Sequence, residues 1–144
     1  MKKLIENTRL YFCDFDASGS FKMNCAMRYF EKARFEVADA IGIYDCMHLE
    51  DGETITFPVI KVSCKYPVSI LQDDMDIQMV TSIEVPEGGI IRFWQSLVQH
   101  GETKLWATVD VAVLSSKHGV LFRLEDELIQ RVQAYSQEED TVVG

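Results

Sequence analysis

Apolar and small residues recur every three or four positions between residues 24 and 41. The stripe consists of Ala26, Phe30, Ala33, Val37 and Ile41. This period is typical of an α-helix that buries one face, and no proline interrupts it. Asn24 has a side chain that suits a helix start, and Gly42 suits a helix end. The pattern therefore predicts one long amphipathic helix over 24–41.

A two-residue alternation, typical of half-buried strands, runs through much of the remaining chain. It predicts strands over 9–15, 54–65, 76–84, 90–99 and 104–114, with an irregular start to the second strand at Pro58. Gly-containing turns at 86–89 and 100–103 join the last three strands into an antiparallel meander. A second, short helix is predicted over 124–135. This order of elements indicates an α+β fold, in which a curved antiparallel sheet of about five strands wraps the long helix.

Length and composition indicate a single folded domain. The chain has 144 residues, of which 47% are hydrophobic, so it can form one core of ordinary size. We assign residues 1–135 to this domain. Residues 136–144 are polar and acidic, and we expect them to form a frayed tail.

The net charge of −9 argues against one class of partner. A nucleic-acid binder needs a basic face, whereas an anionic small molecule needs only a few local cations. The cysteines are Cys13, Cys25, Cys46 and Cys64, with no CxxC pair and no His at metal-ligand spacing. The first residues lack the apolar run of a signal peptide, and no run is long enough to span a membrane. We therefore expect a cytoplasmic protein with free thiols.

Four short segments occur in a fixed order along most of the chain. They are DFDASG at 14–19, RYFEKAR at 28–34, VSCKY at 62–66 and DDMDI at 73–77. Their order and spacing resemble the hotdog-fold acyl-CoA thioesterases of the 4-hydroxybenzoyl-CoA thioesterase type, from residue 9 to residue 124. The resemblance implies a hotdog fold, a long central helix wrapped by a curved sheet. It also implies hydrolysis of an acyl-CoA thioester to a free acid and CoA, without a metal or organic cofactor.

The resemblance also implies which residues form the site. It places the catalytic carboxylate on Asp16, the second Asp of the DFDASG segment, which attacks the thioester carbonyl or activates a water. It places the oxyanion and substrate-binding positions of the helix start at Met23, Asn24 and Cys25, with the amides near Met23 and Asn24 holding the oxyanion. Further substrate-binding positions are Ser63, Cys64 and Lys65, on the strand that borders the pantetheine channel in the family. The resemblance further implies a homodimer joined edge to edge, or a homotetramer, with active sites between subunits.

Several alternatives remain open. Without the resemblance, Asp16 is more simply a turn carboxylate that caps nearby N–H groups. Asp14 is interpreted as structural, and Cys25 as a core cysteine, because no motif links Cys25 to a His. Many bacterial relatives carry a His seven residues after the catalytic Asp and an Asn-Tyr pair just beyond, where this chain has Met23, Cys25 and Ala26. Two other functions therefore stay open: a thioesterase that acts on acyl chains bound to a carrier protein, and a non-catalytic domain that binds acyl-CoA or lipid.

Overall fold

One sheet of six strands and one long helix form the framework of the computed structural model, which describes residues 1–66, 69–87 and 89–144. The strands are β1 (Leu4–Arg9), β2 (Ile55–Thr56), β3 (Val59–Lys65), β4 (Asp76–Glu84), β5 (Ile91–Gln99), β6 (Glu102–Val111), β7 (Val113–Ser115), β8 (Gly119–Leu121) and β9 (Thr141–Val143). The helices are α1 (Met23–Ile41) and α2 (Asp126–Ser136). The main sheet has the order β3-β6-β5-β4-β1-β9, and β2, β7 and β8 form a small second sheet.

The long helix α1 packs its predicted stripe against the main sheet. Phe30 and Val37 have no exposed surface, and on the facing strands Ile83, Leu97 and Leu105 are equally buried. Truncating a fully buried Phe to Ala typically costs about 3–5 kcal/mol, because the contacts are lost and a cavity remains. The predicted α+β arrangement of one helix against an antiparallel sheet is therefore confirmed.

The predicted alternation in the meander is also confirmed, with one refinement. On β4 the inward positions are Ile77, Met79, Thr81 and Ile83. On the strand predicted over 104–114, the inward positions Leu105, Ala107, Val109, Val111 and Val113 are all buried. That predicted strand divides at Ala112, whose N–H donates to the carbonyl of Pro58 (3.0 Å). The division lets the chain leave the main sheet and enter the small one, and the predicted strand 54–65 divides at Pro58 for the same reason.

The prediction of a first strand over 9–15 is wrong. The strand lies earlier, at Leu4–Arg9, and Phe12–Asp14 form a short 3-10 turn. The carboxylate of Asp14 accepts hydrogen bonds from the N–H of Tyr11 (2.9 Å) and the hydroxyl of Tyr29 (2.5 Å). A side chain that binds local backbone in this way competes with strand pairing, which explains the turn.

Three other expectations need correction. The helix starts at Met23, and Lys22 rather than Asn24 occupies the N-cap position, without a capping side-chain bond. The main sheet has six strands rather than about five, because the end of the predicted tail joins it. Thr141–Val143 pair in parallel with residues 4–6, so this segment is not frayed. The predicted turn at 86–89 includes Gly88, which lies outside the described residues.

Candidate active site

Asp14 and Asp16 are two residues apart and lie in opposite environments. Asp14 is 2% exposed and holds the hydroxyl of Tyr29, while its carbonyl accepts the N–H of Lys22 (2.8 Å). Burial, and then the hydrogen bond to Asp14, raise the pKa of the Tyr29 phenol, so the hydroxyl stays a donor. Asp14 thus joins the turn to the start of α1, and its interpretation as structural is consistent with these contacts.

Residues 15–21 form a tight loop that leads into the helix. Phe15 and Phe21 form an isolated antiparallel bridge, and their rings meet edge to face at 5.5 Å. Within the loop, the N–H of Asp16 donates to the carbonyl of Ser20 (2.8 Å), and the N–H of Gly19 donates to the carbonyl of Asp16 (3.0 Å). Gly19 has a φ of 85°, a conformation that glycine adopts without steric cost. The loop therefore fixes Asp16 by hydrogen bonds in the segment that leads directly into α1.

The carboxylate of Asp16 is exposed at the surface of this loop. Its Oδ1 atom accepts hydrogen bonds from the N–H of Ser18 (2.9 Å), the hydroxyl of Ser18 (2.6 Å) and the N–H of Ser20 (3.0 Å). These bonds, the Ser18 hydroxyl foremost, lower the pKa of Asp16 below its ordinary value. The Oδ2 atom has no hydrogen-bond partner within 1–66, 69–87 and 89–144. The group is therefore ionised at neutral pH and has one oxygen available.

The start of α1 leaves two backbone donors open. The N–H groups of Cys25 and Ala26 both point to the carbonyl of Lys22 (3.1 Å each). Those of Met23 and Asn24 have no acceptor in the described part of the chain, and the first turn contains no acidic residue. An uncapped helix start carries about half a unit of positive charge, so it can hold a developing oxyanion.

The other residues predicted from the start of α1 lie around these donors. Met23 is 40% exposed, and its sulfur lies 3.8 Å from the hydroxyl of Tyr66. Asn24 is exposed. Cys25 is 1% exposed, with its sulfur 3.5 Å from the guanidinium of Arg28, so it lies in the core as expected.

The predicted residues on β3 point to two faces of the sheet. Cys64 pairs with the buried Ala107 and is half-buried on the helix side. Ser63 and Lys65 are exposed on the opposite face, where they line a cleft with Trp94 and Trp106. Of the three, only Cys64 faces the same side of the sheet as α1.

A cleft of about 570 Å³ lies beside the Asp16 loop. One wall consists of Gly19, Ser20 and Phe21, and the other of Tyr66, Ser69, Ile70, Leu71 and Gln72. Sequence reasoning did not identify the second wall. The only sequence signal was the loss of strand alternation after Tyr66, which marks a connector without showing what it approaches.

Within residues 1–66, 69–87 and 89–144, no cluster of three or more His, Cys, Asp or Glu side chains is arranged to hold a metal ion. Neither of the helices described here combines the length and the apolarity that crossing a bilayer requires.

Solved structures with the same architecture include several thioesterases. The DHNA-CoA thioesterase from Staphylococcus aureus superposes with a TM-score of 0.76 at 18% identity, over 98% of this chain and 99% of that one. The 1,4-dihydroxy-2-naphthoyl-CoA thioesterase from Synechocystis gives 0.75 at 10% identity, over 94% and 99%. A probable thioesterase from Bartonella henselae gives 0.68 at 19% identity, over 87% and 100%.

By sequence alone, no family model matches the chain, and no curated protein matches it either. The structural matches span nearly the whole chain, so this is a hotdog-fold protein, as the sequence resemblance implied. At identities below 20% these matches establish the fold, and the chemistry depends on the site itself.

Proposed function

We propose that this protein is an acyl-CoA thioesterase. The observation that carries the proposal is an ionised carboxylate, Asp16, with one available oxygen, on the loop directly before a helix start whose first amides are uncapped. That pair supplies both parts that thioester hydrolysis needs, an attacking or activating group and an oxyanion site. Structural neighbours described as acyl-CoA thioesterases support the same assignment.

The proposed reaction uses few groups. Asp16 attacks the thioester carbonyl carbon, or takes a proton from a water that attacks it. The carbonyl oxygen becomes negative and accepts hydrogen bonds from the amides of Met23 and Asn24. The C–S bond then breaks, and the CoA thiolate leaves. If Asp16 attacked directly, the thiolate takes a proton from solvent, and a water hydrolyses the mixed anhydride on Asp16 to the free acid and the original carboxylate. If water attacked, the acid forms at once with one oxygen from that water, and Asp16 passes the proton to the thiolate. The lowered pKa keeps Asp16 ionised, which direct attack and proton abstraction both require.

The proposed substrate site is the cleft beside the Asp16 loop. Phe21, Ile70 and Leu71 contribute apolar surface, and Tyr66 lies at its rim next to Met23. Pantetheine and an apolar or aromatic acyl group both suit walls of this composition. We propose that a second subunit completes the cleft and sets which acyl group fits it.

We further propose a homodimer that joins the edges of two β3 strands. The sheet order leaves β3 at an edge, and its residues Val59, Ile60 and Val62 are 44–54% exposed. An edge strand with apolar side chains is usually covered by another chain. Sedimentation analysis should give twice the chain mass, or four times if dimers pair again.

A thioesterase for acyl carrier proteins is the second candidate. Its substrate would be an acidic protein, and a net charge of −9 repels such a partner. The third candidate, a domain that binds acyl-CoA without turnover, is favoured by the replacements at Met23, Cys25 and Ala26.

The test is CoA release from a panel of short, long and aromatic acyl-CoAs, with one acyl carrier protein thioester included. We expect hydrolysis of at least one acyl-CoA, with a higher kcat/KM than for the carrier protein. If no substrate is hydrolysed above the buffer rate, the enzyme proposal fails, and calorimetric binding of acyl-CoA would then support the non-catalytic alternative.

A further inference from the structure

Gln99 is the last residue of β5 and is 1% exposed. Its side-chain amide binds backbone that belongs to neither a helix nor a strand. The Nε2 atom donates to the carbonyls of Leu71 (2.7 Å) and Asp74 (2.6 Å), and Oε1 accepts the N–H of Leu71 (2.8 Å). Three of the four hydrogen bonds that a glutamine amide can make thus go to one segment.

That segment, residues 69–75, is the connector between β3 and β4. Its first half, from Ser69 to Gln72, forms one wall of the cleft beside Asp16. Its second half is also tied by the N–H of Leu10 to the carbonyl of Met75 (2.7 Å). On the outside, the ring of His100 contacts the carboxylate of Asp73 (3.1 Å), which is exposed to water. In the cleft-forming half, Ile70 packs its side chain into the core, and the polar contacts that fix the backbone at Leu71 are those of Gln99.

We infer that Gln99 is a positioning residue that fixes the connector wall of the substrate cleft. This inference rests on the proposed function. Buried amide bonds are stronger than exposed ones because water does not compete for them, so they hold Leu71 at a defined distance from the Asp16 loop. Gln99 touches no reacting group, so its loss should weaken substrate binding and leave the chemical step in place.

Gln95 provides a matched control on the same strand. It is also inward-facing and 3% exposed, and its Nε2 donates to the carbonyl of Phe30 (2.9 Å) and the hydroxyl of Thr81 (3.2 Å). Its Oε1 accepts from Arg34 (3.0 Å). These partners lie under the middle of α1, away from the connector. Replacing either glutamine with Met removes the three hydrogen bonds of a buried side-chain amide at similar volume, yet only Gln99→Met removes the bonds that hold Leu71 in the cleft wall.

The experiment compares wild type, Gln99→Met and Gln95→Met by steady-state CoA release and by NMR hydrogen exchange at the Leu71 amide. For Gln99→Met we expect KM to rise about tenfold with kcat within about twofold, because substrate binding and not chemistry is lost. Exchange at Leu71 should accelerate by about tenfold or more. For Gln95→Met we expect neither change. If Gln99→Met does not fold, Gln99→Asn, one methylene shorter, should show both effects.

Two results would overturn the inference. Exchange at Leu71 that stays at the wild-type rate would show that Gln99 does not hold the connector. Equal rises in KM for the two Met variants would show a general loss of stability. A wild type that releases no CoA would instead reject the proposed function, and the dissociation constant of acyl-CoA would then replace KM in the same comparison.

Discussion

The two ends of α1 are built in opposite ways. At the C-terminal end, Gly42 adopts a φ of 74° and its N–H donates to the carbonyls of Ala38 (3.0 Å) and Asp39 (3.1 Å). The guanidinium of Arg131 donates to the carbonyls of Ile41 (3.4 Å) and Gly42 (3.2 Å). The last carbonyls of the helix are thus largely satisfied within the protein.

The N-terminal end has no such partners among the described residues. Lys22 occupies the N-cap position and its side chain offers no acceptor, although an Asp, Ser or Asn there would stabilise the helix. An end that could be capped and is not carries a cost in stability, and such costs are common at functional sites. The C-terminal end of α1, which we call the closed end, therefore stabilises the fold. The N-terminal end, which we call the open end, directly follows the Asp16 loop and leaves amides available for a ligand oxygen.

Closing the open end should have the largest effect. In Lys22→Asp, the new carboxylate would accept the amide of Asn24 or Cys25 and raise the free energy of unfolding by about 0.5–2 kcal/mol. It would also occupy the oxyanion site, so kcat should fall by about 100- to 1000-fold. Urea unfolding and CoA release measure the two effects. Lys22→Ala, which removes the same cation without adding a cap, is the control, and a stabilised Lys22→Asp with normal kcat would exclude this helix end as the oxyanion site.

Loosening the link between the loop and the helix should have the next largest effect. Tyr29→Phe removes the hydroxyl that binds the buried carboxylate of Asp14, so we expect a loss of about 1.5–3 kcal/mol in urea unfolding. CoA release should slow as well, because the same carboxylate supports the Asp16 loop. The matched control is Tyr44→Phe, since Tyr44 is 52% exposed and packs on Phe57. Equal stability of the two variants would argue against a structural role for Asp14.

Disturbing the C-terminal end of α1 should lower the free energy of unfolding without changing the rate of CoA release. Gly42→Ala places a Cβ at positive φ and 2.9 Å from the guanidinium of Arg131, so unfolding should become about 1–2 kcal/mol easier with kcat unchanged. Gly52→Ala is the control that separates backbone strain from the clash with Arg131. Gly52 has a φ of 75°, and no atom lies within 4 Å of the added Cβ. A fall in kcat for Gly42→Ala would mean that the two ends are not independent.

The smallest effect concerns pH. Hydrogen bonds from Ser18 and Ser20 lower the folded-state pKa of Asp16, so the carboxylate stays ionised as the pH falls through the range of ordinary carboxyls. Stability from these bonds is present above the unfolded pKa and is lost as pH falls through the lower folded pKa. In the pH profile of kcat/KM, the fall on the acid side should therefore occur at a lower pH than it would for an Asp with an ordinary pKa. Ser18→Ala should move this fall to higher pH, and an unmoved fall would mean that another group controls it.

Local features of the site could be predicted from the sequence, and features that depend on distant contacts could not. The period of α1 and the position of Asp16 before it follow from neighbouring residues. The turn at 12–14 depends on Tyr29, which lies fifteen residues beyond Asp14, and no local pattern reveals that contact. In the same way, the approach of Leu71 to the Asp16 loop depends on Gln99, twenty-eight residues further along the chain.

The most direct test of Asp16 as the catalytic carboxylate is to compare the rates of CoA release by Asp16→Asn and by Asp39→Asn. The amide introduced by Asp16→Asn would keep an oxygen for the bonds from Ser18 and Ser20 and lose only the charge, whereas Asp39 is exposed at the closed end of α1. We predict that kcat falls by at least about 100-fold for Asp16→Asn and changes by less than about twofold for Asp39→Asn. If Asp16→Asn released CoA at the wild-type rate, Asp16 would not be the catalytic carboxylate.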